Sequence, residues 1–81
     1  MLSNIGGVNM EYNAKLYTQK ESKINGRSIW HYLIDTPIGQ IHVVEYESPQ
    51  KELIRFLIDN NLEKATLKYN SICKKILAGK L

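Results

Sequence analysis

The spacing of apolar residues changes at Ser48-Pro49, and this change most constrains what the chain can fold into. From about Glu11 to Glu47 apolar and polar residues alternate, whereas from Pro49 to Leu77 apolar residues recur at three and four. Alternation sends successive side chains to opposite sides of an extended strand, while a spacing of three and four lines one face of a helix. The sequence therefore predicts strands first and helices second. The expected fold is α+β, a three-stranded antiparallel sheet followed by two C-terminal helices, in the order βββαα.

At 81 residues the chain has room for one such domain, expected over residues 11–81, with residues 1–10 as a flexible leader. Hydrophobic residues are 43% and charged residues 23%, which fits a globular rather than a disordered chain. The leader is too short and too polar for a signal peptide or a membrane span, so no membrane partner is expected. Met10 is an alternative start. Cys73 is the single cysteine, which excludes an internal disulfide and points to a reducing compartment, the cytoplasm. The abundance of Lys, Asn and Ile is what an AT-rich coding sequence yields. It suggests a low-GC bacterium, its phage or a mobile element, a hypothesis that a GC-rich source gene would remove.

Within the first half, residues 11–19 alternate as one strand. Asn25-Gly26 is a strong hairpin signal, because both central residues of the favoured turn need positive φ. Arg27 to Thr36 reads as a central strand, apolar on both faces. Thr36-Pro37-Ile38-Gly39 fits a type I turn with a glycine bulge, and Gln40 to Glu47 follows as the third strand and a sheet edge. A three-residue loop there pairs Thr36 with Gln40. It then sets Ile34 opposite His42, Tyr32 opposite Val44 and Trp30 opposite Tyr46, with Leu33 opposite Val43 and His31 opposite Glu45 on the other face.

In the second half, Ser48 is suited to cap a helix that Pro49 begins. Leu53, Ile54, Leu57 and Ile58 form its apolar stripe. Asp59-Asn60-Asn61 breaks the pattern. Leu62, Ala65, Tyr69, Ile72 and Ile76 then line a second helix, flanked by Cys73 and Leu77 and ended by Ala78-Gly79.

No motif with a specific chemistry is present, so neither an enzyme nor a cofactor or small-molecule ligand is indicated. His31 and His42 project from opposite sides of the sheet in the register above, and zinc needs three or four convergent ligands. A strand histidine beside Glu45 is the simpler role for His31. Cys73, bordering an apolar helix face, reads as a small core residue rather than a nucleophile.

The expected sheet has an aliphatic face (Ile24, Ile29, Leu33, Ile41, Val43) and an aromatic one (Tyr17, Trp30, Tyr32, Tyr46). Two helices cover only one of them. With the aliphatic face as core, the uncovered aromatics are a candidate surface for docking a partner protein. The competing reading buries Trp30 and the tyrosines under the helices. The chain is accordingly expected to be a non-enzymatic regulator, inhibitor or adaptor.

The alternative is a nucleic-acid-binding module. The net charge of +3 permits it. Lys15 and Lys23 edge the aromatic face, and Lys64, Lys68 and Lys75 share a row with Ser71 on the second helix, within about 40° of one another. Such a row is most often a solvated helix face. Leu67, opposite the apolar stripe, is expected to be exposed. Two apolar faces and an edge at the third strand also suggest a homodimer.

Overall fold

The computed structural model describes residues 17–81. Within them the fold is α+β, with four antiparallel strands in the order β1-β2-β3-β4 and one helix. The strands are β1 (Thr18–Ile24), β2 (Arg27–Thr36), β3 (Gly39–Glu47) and β4 (Leu53–Leu57), and the helix is α1 (Leu62–Leu77). The class matches the sequence reading, but one expected helix is a strand.

The first turn forms as Asn-Gly dictates, with Asn25 at φ 53° and Gly26 at φ 76°. Positive φ at both positions gives a hairpin turn whose twist matches that of the strands it joins. β1 runs straight into this turn, further along the chain than the strand expected over residues 11–19. Residues 11–16 of that strand, like the leader, lie outside the described residues.

The second turn is one residue shorter than expected. Thr36 pairs with Gly39 across Pro37-Ile38, and Gly39 takes φ 120°. The Thr36 hydroxyl accepts from the Ile38 N–H at 3.3 Å and donates to the Gly39 carbonyl, which closes the tighter loop. A one-residue slip sends every β3 side chain to the other face. Trp30 therefore faces Glu45, Tyr32 faces Val43 and Ile34 faces Ile41, while Ile29 faces Tyr46 and His31 faces Val44.

The type I turn with a left-handed third residue occurs instead at Ser48–Glu52. Lys51 N–H donates to Ser48 C=O, Ser48 N–H donates to Glu52 C=O, and Lys51 sits at φ 69°. The Ser48 hydroxyl accepts from the N–H groups of Gln50 and Glu52 at 3.2 and 3.0 Å. The residues that suit a helix cap and first turn here close a hairpin, because Ser and Pro favour both. Leu53-Ile54-Arg55-Phe56-Leu57 then alternates, with Ile54 and Phe56 partly buried against the core and Leu53, Arg55 and Leu57 exposed. Because β4 pairs with β3, the third strand is interior and not the edge the sequence implied.

α1 forms where its pattern requires, except that Leu62, expected to open the buried stripe, is exposed in the first turn. The Asn61 side chain caps it by accepting from Lys64 N–H at 3.0 Å. Ala65, Tyr69, Ile72 and Ile76 are its buried stripe. They pack on Ile29, Val44 and Tyr46 of the sheet, with Ile24, Ile54, Phe56, Ile58, Cys73 and Leu81 around them. Tyr69 O–H donates to Ser22 Oγ at 2.6 Å, and the Arg27 guanidinium donates to the Glu47 carbonyl at 2.9 Å and to that of Leu81. The Tyr69 bond ties α1 to β1, and the bond to Leu81 ties the residues after α1 to the start of β2.

Candidate interaction groove

The register separates the aromatics that the sequence grouped together. Tyr46 is buried on the α1 side and stacks on Phe56, with ring centroids 6.3 Å apart. Trp30 and Tyr32 lie on the opposite face, where Tyr32 is only 2% exposed and Val43 and Glu45 are fully buried. That face is therefore not an open aromatic platform. Tyr17 is exposed ahead of β1. Lys23 is exposed on β1 opposite Ser28, and Lys15 lies outside the described residues.

The register also corrects the histidines, which lie side by side. His31 Nε2 and His42 Nδ1 are 2.8 Å apart, one donating to the other. Glu45 serves Tyr32 and Arg55 on the other face rather than His31. Among the described residues no group of three or more metal-ligating side chains converges.

Burial, then the neighbouring charges of His42 and Lys20, lowers the pKa of His31 below the ordinary 6.5. The neutral form is the native one, so between 6.5 and the lower native value the unfolded chain binds more protons. Stability should therefore fall as pH drops below about 6.5 and level off below the native pKa. Urea midpoints between pH 8 and 5 should show this slope, and His31→Gln should flatten it. Parallel slopes for the two proteins would refute it.

Cys73 is half-buried against the core, and burial raises its thiol pKa, with Lys20 opposing weakly. A thiol held protonated is a poor nucleophile. It should react with a disulfide reagent at pH 7 at least tenfold more slowly than free cysteine, and at the normal rate in denaturant. Equal rates in the native state would contradict the core assignment.

Among the described residues the helix lysine row meets the end of β4 and the residues that follow it. Leu57, Ile58 and Asp59 on one side and Lys64, Leu67, Lys68 and Ser71 on the other line an open groove of about 520 Å³. Leu57 is 61% and Leu67 65% exposed, both high for leucine. Lys64 Nζ donates to Asp59 at 3.1 Å, and Lys68 Nζ sits 4.0 Å above the centre of the Phe56 ring. The N–H of Asn61, then Lys64, holds the Asp59 carboxyl below its ordinary pKa. What this adds to stability is present above pH 3.8 and lost as pH falls through the lower native value. Lys75 is exposed further along the same row, outside the groove lining.

Of the candidate residues, the fold thus brings Lys64 and Lys68 together with Leu67 and Ser71. The β4 half of the groove was hidden by reading β4 as a helix. The alternation of Ile54, Phe56 and Ile58 with Leu53, Arg55 and Leu57 was the signal available. No family model, curated protein or solved structure matches the chain. No helix among the described residues is long and apolar enough to cross a membrane.

Proposed function

We propose that this chain is a small non-enzymatic binding protein, a regulator, inhibitor or adaptor, that docks a partner protein in the groove between β4 and α1. The observation that carries this reading is an open groove lined by two exposed leucines, Leu57 at the end of β4 and Leu67 on α1, together with Lys64 and Lys68. Exposed apolar side chains bordered by polar ones suit a protein interface. The lysines give the partner a sign, since an acidic segment complements them. Nucleic acid is the weaker reading. The nearby ring, Phe56, is already capped by Lys68, so the groove offers no stacking surface for a base.

The test is a random peptide library displayed on yeast, selected on the whole chain and re-screened on Leu67→Glu. Leu67 is outside the core, so the variant should fold, which circular dichroism verifies. Enriched peptides should bind the variant at least tenfold more weakly, a loss of about 1.4 kcal/mol. Failure to enrich any peptide, or equal binding to both proteins, would count against the groove. Oligonucleotide binding that weakens steeply with salt would move the assignment to nucleic acid.

A further inference from the structure

We infer that β4 accepts an extended segment of the partner as an added strand on its outer edge, and that this segment alternates acidic with apolar residues. The inference rests on the groove reading above and specifies what enters the groove. β4 ends the sheet order among the described residues.

The direction of its backbone groups follows from the hydrogen bonds at its two ends. Ser48 N–H bonds Glu52 C=O at 2.8 Å, and Ile58 N–H bonds His42 C=O at 2.9 Å. Both pairs continue the β3–β4 register, in which Tyr46 faces Ile54 and Val44 faces Phe56. In an antiparallel ladder, bonded and non-bonded pairs alternate. Ile54 and Phe56 therefore turn their N–H and C=O groups toward β3. Leu53 and Leu57 turn theirs the other way, toward any strand added outside.

Little along this edge discourages pairing. Leu53–Leu57 contain neither proline nor bulge, the ladder shifting only beyond them, where His42 N–H bonds Asp59 C=O at 2.8 Å, and the one charge of β4, Arg55, is bonded to Glu45 within the sheet.

The neighbours on the two faces set the chemistry of the added strand. On the α1 side it runs beside Lys64 and Lys68, which outweigh the one acid of the groove, Asp59, so residues pointing that way are acidic. On the other side it runs beside the exposed Leu53 and Leu57, so the alternate residues are apolar. A second copy of this chain fits less well. Its own β4 carries Arg55 and no acid, and two-fold pairing of β4 would bring the lysine rows of two α1 helices toward each other.

The probe is a synthetic peptide of four Val-Glu repeats, titrated into the whole chain at low salt with amide exchange followed by NMR. Saturation should slow exchange at Leu53 and Leu57 by at least tenfold, while Ile54 and Phe56 are already slow in the free protein. In an antiparallel addition the valines face Leu53 and Leu57 and direct their N–H groups at β4. N-methylation of the valines should therefore abolish binding, and N-methylation of the glutamates should change affinity by less than threefold. Binding that both methylated peptides retain, with unchanged exchange at Leu53 and Leu57, overturns strand addition and leaves the groove reading standing. Binding of library peptides but not of the Val-Glu peptide overturns the acidic–apolar assignment alone. Loss of both kinds of binding defeats both readings. A mass by light scattering that doubles with concentration, and returns to one chain in Leu57→Asp, would give the edge to a second copy instead.

Discussion

Ile29→Ala should destabilise the domain by about 3 kcal/mol, within the ~2–5 kcal/mol range of such truncations in packed cores. Ile29 is fully buried, opposite Ser22 on one side and Tyr46 on the other, in the cluster that α1 covers. The removed atoms lose their transfer free energy, and a central sheet position held by two neighbouring strands relaxes little to fill the space. Domains typically have only ~5–15 kcal/mol in all, and a short chain belongs at the lower end. The urea midpoint should fall by a third or more at unchanged slope, while Ile29→Val should lose only ~0.5–1.5 kcal/mol. A midpoint unmoved by the alanine would place Ile29 outside the cooperative core.

Arg55→Met should be the next most damaging change, at about 2–3 kcal/mol. Glu45 is fully buried, accepting from Tyr32 O–H at 2.5 Å and from Arg55 Nε at 3.2 Å. Breaking a buried ion pair costs ~3–5 kcal/mol because a charge stays behind in a poorly solvating site. The Arg55 side chain is 36% exposed, so solvent reaches part of the pair and the lower figure applies. Much of the cost lies in a buried carboxylate deprived of this cation rather than in lost attraction, so removing both charges should cost less than removing one. Glu45→Met/Arg55→Met should recover at least 1 kcal/mol relative to Arg55→Met, roughly the scale of coupling between contacting residues. Strictly additive losses in that cycle would mean the bridge contributes nothing.

These two residues also show which parts of the fold can be read from sequence. The sequence puts Ile29 on the aliphatic face of the sheet but leaves open which face is covered, and α1 covers that one. The stripe Ala65, Tyr69, Ile72 and Ile76 could be read from spacing alone, as could exposed Leu67, because sixteen helical residues repeat the pattern several times. The Asn25-Gly26 turn was legible because few other conformations suit that pair. Glu45 was misplaced because register depends on a loop one residue long or short, and both lengths suit Thr36-Pro37-Ile38-Gly39. The same slip put His42 on the wrong face and Tyr46 among the open aromatics. β4 was missed because Leu53, Ile54, Leu57 and Ile58 satisfy a helical stripe and a strand alike over so short a span. Only pairing with β3 decides between them, and that is a tertiary property. Since the groove needs β4, the candidate site was legible only in its helical half, as the row Lys64, Lys68 and Ser71 with Leu67 beside it.

Each described strand of this sheet pairs with its neighbour in the chain, across links of two to five residues. Such short loops close at little entropic cost and on the microsecond scale. The long-range event is the docking of α1, which brings Tyr69 to Ser22 across 47 residues. Contacts so distant in sequence are what slow a small domain. Folding speed should therefore be set by the search of one helix for a sheet whose hairpins form early. During that search the face bearing Ile29, Val44 and Tyr46 stands open to water and to other chains. The interval before α1 docks is the time when this protein is most prone to aggregate.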